Sequence, residues 1–227
     1  HFQGGSSDIA LARNTWRIDW RESAGEFGAR IGEYELAAPT RKPVEELCAW
    51  QLAKVGDDDY RPHLVLADEI DFASTADLFG LYATRREALL ALRKLVEAHH
   101  LCHSLCGLGN AKAGEACVGF KQRSCRGACV GKEPLSLHSA RLMAALARSK
   151  VAAWPFGGAV ALVERDEFGM REDFHIVDRW CHLGLVQSEF ALRDALDHRP
   201  PRRFDPELYR IIGKALKSGK LRVIPLA

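Results

Sequence analysis

In "RREALLALRKLVEAHH" the apolar positions Ala88, Leu89, Leu92, Leu95 and Val96 recur at helical spacing, and Thr84 stands where an N-cap belongs. The pattern predicts a helix there. "HLVLADEI" and "LFGLYA" (78–83) before it are short runs of Leu, Val and aromatic residues, and read as strands. Upstream, "TWRIDWRES" (15–23) alternates apolar and polar residues as a strand would. "AGEFGARIGEYELAAP" has the length and Ala/Glu content of a helix ending at Pro39. "TRKPVEELCAWQLA" then leads into an acidic loop, "GDDDYRP". Further on, "EPLSLHSARLMAALARSK" is a helix with Pro134 near its first turn. "GAVALVER" and "DFHIVDRWCHLGLV" read as two strands joined by a turn at Phe168–Gly169. "SEFALRDALDH" and "DPELYRIIGKALKSG" are helices capped by Ser188 and Asp205, the second stopped by Gly219. "LRVIPL" closes the chain as a strand. The fold class is α+β, in two lobes on either side of a segment, 101–131, that has no periodicity of its own.

Composition narrows the classes. The chain has 227 residues, 47% of them hydrophobic, enough for one large or two small cores. No apolar run is long enough to span a bilayer, and no secretory signal is visible. A net charge of +2 argues against a uniformly polycationic DNA-coating protein, so any nucleic-acid contact must come from local patches. The opening "HFQGGSS" has the look of a protease-site scar.

The seven cysteines are an odd count with no secretory context, so a disulfide framework is the weaker reading. Five fall within residues 102–129, a Gly-rich stretch with little apolar surface, which needs an outside constraint to order it. Cys117-x7-Cys125-x3-Cys129 offers three thiols, and Cys102 or Cys106 a fourth. Four thiolates suit tetrahedral zinc or a cubane iron–sulfur cluster. Zinc sites usually show C-x2-C knuckles, which are absent here, and the wide, uneven spacing suits the larger cluster without settling the choice. The plain alternative is a set of buried, unligated cysteines. Lys121, Arg123, Arg126 and Lys132 surround the thiols; they either offset thiolate charge as solvated residues or contact phosphate, two readings of equal weight.

"LFGLYATRREALLALRKLVEAHHLC…GEACVGFKQRSCRGACVGKE" resembles the region that follows the GIY-YIG nuclease domain in UvrC-type excinucleases. With "AGEFGARIGE", "ELCAWQL", "WPFGGAVAL" and "FHIVDRWCHLG", nearly the whole chain is most similar to the short Cho type of that family. The resemblance makes "HFQGGSS" native. It implies four units: residues 1–54 as the C-terminal part of the nuclease domain, 55–100 as a strand pair and helix, 101–133 as the cysteine segment, and 134–227 as an α+β C-terminal domain. It also implies that the motif tyrosines and arginine lie before residue 1. Glu33 in "GARIGEYEL" matches the family's catalytic glutamate, which holds one divalent ion, Mg²⁺ or Mn²⁺. Arg30, Gly32 and Ala37–Ala38 depart from the family pattern around it. An asparagine-bearing stretch expected between Pro39 and Thr40 is not present; residues missing there, or a true deletion, are the alternatives. Cys102, Cys117, Cys125 and Cys129 match an iron–sulfur ligand set for a [4Fe–4S] cluster, with zinc as the alternative and Cys106 in reserve. Cys48 and Cys181 read as core residues.

The resemblance further implies a bacterial, cytoplasmic, monomeric DNA-repair endonuclease of the SOS response. It would make the 3′ incision in damaged double-stranded DNA already loaded with UvrB, with UvrA acting upstream. Nothing in the chain looks like the RNase H-like or helix-hairpin-helix modules of longer family members. The rival expectation is a decayed nuclease serving as a DNA- or protein-binding adaptor, with zinc or an empty cysteine site.

Overall fold

The computed structural model describes residues 9, 13–40, 44, 46–109, 111–112, 114–197 and 204–226. The opening "HFQGGSS" lies outside them. Two antiparallel sheets organise the chain. The first has the order β2-β1-β3, with β1 Cys48–Gly56, β2 Asp59–Leu66 and β3 Leu78–Tyr82. Strand β1 runs across residue 54, where a change of unit was expected, and pairs with both its neighbours, from Cys48↔Leu66 to Gly56↔Asp59 on one side. Its first three residues are buried and its far end stands in solvent, so the "acidic loop" is the tip of a hairpin, with Asp58 in the left-handed region.

Helix α1, Glu26–Ala37, precedes this sheet, and α2, Arg85–Ala98, follows it. Thr84 caps α2 by accepting the Glu87 N–H (3.2 Å), and Ala88, Leu92 and Val96 are buried as the spacing predicts. Leu89, expected on the same face, is exposed. Helix α3, Val118–Lys121, lies within the cysteine segment, and α4, Leu135–Leu146, packs back on the first sheet. Cys48, Trp50, Phe79, Leu92, Leu101, Leu142 and Leu146 form one core between sheet and helices.

The second sheet has the order β6-β5-β4-β7, with β4 Val160–Arg165, β5 Glu172–Asp178, β6 Cys181–Val186 and β7 Arg222–Pro225. Helices α5, Ala191–Asp197, and α6, Pro206–Ser218, complete this lobe. "DFHIVDRWCHLGLV" is therefore two strands and not one. Arg179 and Trp180 turn the chain with both φ positive, at 48° and 64°. Neither residue type favours that region. Burial of Trp180 against Trp154 and Tyr209, at ring separations of 5.0 and 4.9 Å, holds the turn.

Two other expectations change. "TWRIDWRES" belongs to no strand among the described residues, and Trp16 (98% exposed), Ile18 (61%) and Trp20 (82%) all stand in solvent. Without a neighbouring strand its backbone has no ladder to join. The asparagine-bearing stretch expected between Pro39 and Thr40 has no counterpart in the sequence, and Ala38–Thr40 forms a 3₁₀ turn there.

Helix α1 docks on the second sheet through the ends of its strands. Gly25 has no side chain with which to cap the helix, and a carboxylate from β4 takes over: Glu164 accepts the N–H groups of Phe27 (2.9 Å) and Gly28 (2.8 Å). Asp173 of β5 accepts the Ala24 N–H (2.8 Å) and is itself held by Arg171 (2.9 Å). A Cβ on Gly25 would lie 2.5 Å from Glu164 Oε1, so only glycine admits this approach.

Candidate functional site

Four of the seven cysteines converge. The Sγ atoms of Cys102, Cys117, Cys125 and Cys129 all lie within 4.8 Å of one another, three of them buried and Cys129 half-buried at the rim. Local backbone geometry brings them there. Cys102 follows α2 directly, Cys117 is the N-cap of α3, and Cys129 sits in a 3₁₀ turn flanked by Gly127 and Gly131. Gly127 has φ 89°, and a Cβ there would meet the Phe120 ring at 2.8 Å. Cys102 is fixed from outside the segment by α4. The buried His138 accepts its backbone N–H at Nε2 (3.0 Å), and Arg141 binds the carbonyls of His99 and His100 while pairing with Glu133. No spacing in the sequence marks His138 or Arg141, since they come from a separate helix.

The thiols differ electrostatically. Burial pushes Cys117 up, but the Phe120 N–H (3.3 Å) and hydrogen bonds from the thiols of Cys129, Cys102 and Cys125 outweigh it and bring it down to about 7. Burial holds Cys102 well above the ordinary thiol range and Cys125 at about 11. Cys102 Sγ stands 3.8 Å from Cys117 Sγ. Four sulfurs at about 2.3 Å from one tetrahedral ion would be about 3.8 Å apart. A cubane separates its ligand sulfurs by the width of the cluster, so it would need these four to spread. Cys106, the reserve ligand, packs instead among Leu92, Leu101 and Leu142, where burial raises its thiol to about 12. Cys48 and Cys181 are buried elsewhere.

Lys121, Arg123, Arg126 and Lys132 are all exposed around this centre. Lys132 Nζ lies 5.0 Å from the centroid of the Phe120 ring. None of the four joins an ion pair among the described residues.

Glu33 lies apart from the thiols. It is exposed on α1 and lines a cleft of about 530 Å³ between that helix and the second sheet, together with Glu35, Asp173, His175 and His182. Arg30 and Gly32, the departures beside it, are compatible with the position: Arg30 points to solvent and Gly32 is half-buried near Arg21. Glu35, two residues on, is anchored by Arg21 (2.7 Å) and by His182 Nδ1 (3.2 Å). The His182 hydrogen bond draws it down to about 2 against the opposing effect of burial. The other ring nitrogen of His182, Nε2, stands 3.3 Å from His175 Nδ1, within hydrogen-bond distance. His175 is buried, which lowers it to about 4, and its Nε2 has no partner. This chain of side chains was not legible beforehand, because its members come from opposite ends of the sequence.

A four-cysteine domain built on a small antiparallel sheet and two helices, followed by an α+β lobe, matches one known class. The description "UvrC/Cho excinuclease, middle domain" fits residues 47–148, and "Excinuclease Cho C-terminal domain" fits residues 159–227. The chain belongs to the UvrC/Cho excinuclease family. It is 36% identical to "Excinuclease cho" of Escherichia coli (strain K12) over 227 residues, which is 96% of this chain and 74% of that protein. The relatives of that name from Salmonella typhi and Shigella flexneri match to the same extent. No solved structure matches the chain. Among the described residues no helix is long and apolar enough to cross a membrane.

Proposed function

We propose that this chain acts in nucleotide excision repair as a divalent-metal-dependent endonuclease of the GIY-YIG type, making the 3′ incision beside a lesion in UvrB-loaded DNA. Family membership supports the class. The observation that carries the residue assignment is Glu33: an exposed carboxylate on the wall of an open cleft, without an ion pair among the described residues. Its neighbour Glu35 is tied to Arg21 and His182, which fixes the helix turn and leaves Glu33 as the free acid. Such a carboxylate can hold Mg²⁺ or Mn²⁺, and a divalent ion there would offset charge building on the scissile phosphate and its leaving oxygen. The Glu164 and Asp173 anchors keep α1 in place while the carboxylate stays accessible.

The four thiols serve a separate, structural role in this reading. They hold a thiophilic metal centre that orders the segment between the lobes. Family resemblance favours [4Fe–4S]; the present sulfur separations favour a single ion such as zinc. Anaerobic purification followed by iron, sulfide and zinc analysis separates the two. About four irons and four sulfides per chain with visible absorbance assign the cluster, and one zinc without iron removes it.

A second reading, a non-catalytic adaptor, is favoured by one observation: Pro39 is joined directly to Thr40, without the asparagine that the family resemblance calls for. Nicking of a lesion duplex in the presence of UvrB and Mg²⁺ decides. Glu33→Ala should lower the rate by at least about 100-fold with unchanged circular dichroism. Equal nicking by the variant would remove Glu33 from the mechanism, and no nicking by the complete wild-type gene product, assayed with every residue it encodes, would favour the adaptor.

A further inference from the structure

Helix α6 carries Arg210, Lys214 and Lys217 at i, i+4 and i+7, so the three share one face, and all are exposed. Lys220 continues the row just past the Gly219 cap, and Arg30 of α1 faces it across a hollow of about 320 Å³ floored by Phe27, Ile211 and Leu221. Two acids stand within this group. Glu164 has both oxygens occupied by the amides of Phe27 and Gly28, so it is committed to α1. Glu26 is 71% exposed and reaches Lys214 at 3.5 Å and Arg30 at 3.7 Å, loose contacts in high dielectric. Glu207 stands one turn before Arg210, at the helix start where the dipole favours an acid. Arg210, Lys217 and Lys220 join no ion pair among the described residues.

A row of cations is often only a solvated face, and Lys217 also suits the helix C-terminus. Here, however, five cations meet one loosely held acid in a chain whose net charge is only +2. A local excess of that kind complements a regular array of phosphates. We propose that the α6 face, with Arg30, binds the sugar–phosphate backbone of duplex DNA, and that Glu26 competes with phosphate for Lys214 and Arg30. The inference rests on the reading of DNA as the substrate and adds the surface of the C-terminal lobe that grips it.

The test is binding of a fluorescent, undamaged duplex across a salt series, without UvrB. Replacing Arg210, Lys214 and Lys217 together by Gln should flatten the slope of log K against log salt by about 2 to 3 and weaken binding about 10- to 100-fold. Glu26→Gln should tighten binding about threefold, because it frees two cations. A triple variant with the wild-type slope, beside a wild type that binds, overturns the inference and leaves the repair reading intact. A wild type that binds no duplex at any salt overturns the inference, while the repair reading stands or falls separately on nicking of UvrB-loaded DNA. Lost incision with unchanged DNA binding would assign the strip to an acidic protein partner and also overturn it. Should the triple variant fail to fold, Glu26→Gln decides alone: unchanged affinity rejects the proposal.

Discussion

Burial does not distinguish the cysteines that converge from those that do not. Cys102, Cys106, Cys117 and Cys125 are all buried, yet Cys106 faces Leu92 and Leu142 while the others face one another. The choice between Cys102 and Cys106 as fourth ligand is therefore set by packing, which a spacing rule sees only through family resemblance. If the four thiols hold a metal as proposed, Cys125→Ser should lose it together with the order of the segment, measured as metal per chain and protease resistance. Cys106→Ser should retain metal at the wild-type ratio while lowering stability by about 1 to 3 kcal/mol, because it buries a hydroxyl among leucines. Equal metal loss in both variants would mean that Cys106 is a ligand. The convergence of the four cysteines was legible because they fall within a short stretch of chain. Glu164, Asp173 and the His175–His182–Glu35 chain were not, since each bond joins residues more than a hundred positions apart or crosses a turn that was read as strand.

Elements with local signals came out as the pattern predicts. Thr84 and Asp205 cap their helices, and Gly219 ends α6 in the left-handed region. Asp205 accepts the N–H groups of Glu207 (2.8 Å) and Leu208 (3.1 Å), so Asp205→Ala should cost about 1 kcal/mol in a denaturation experiment. Elements that depend on a distant partner were misread. "TWRIDWRES" has strand alternation without a strand beside it, and the β5–β6 turn uses Arg179 and Trp180 where a sequence reading looks for Asn or Gly. That turn is held by an aromatic cluster and not by its own backbone preference. Trp180→Ala should therefore cost about 3 to 5 kcal/mol, more than its turn position alone would suggest. A loss below about 1 kcal/mol would show that the cluster does not hold the turn.

At the scale of the whole molecule, the two lobes share a core in which Phe72, Leu78 and Val151 meet Phe204 and Tyr209. Arg179 reaches across to Asp71 (3.0 Å). His175 adds a pH dependence to this assembly. Burial keeps it neutral when folded, with a value of about 4 against 6.5 when free. Between these values the unfolded chain binds more protons, so stability falls as pH drops from about 6.5 to 4 and this loss levels off below. The decline attributable to this group is about 3 kcal/mol. Denaturant midpoints across that range should show it, and His175→Phe should flatten it. Glu35 acts in a lower window. Its depressed value means that its contribution is present above about 4.5 and is lost as pH falls toward 2, a smaller effect because the group is partly solvated.

The capping of α1 by Glu164 also has a consequence in time. A ribosome delivers α1 well before its cap, because the carboxylate that finishes its first turn follows 136 residues after Gly28. At about 5 to 20 residues per second, the nascent helix waits roughly 7 to 27 seconds for its cap. Until then the Phe27 and Gly28 amides have only water. The segment bearing Glu33 thus stays uncapped until β4 follows, and a nascent chain stalled before β4 would carry that carboxylate without the scaffold that aims it.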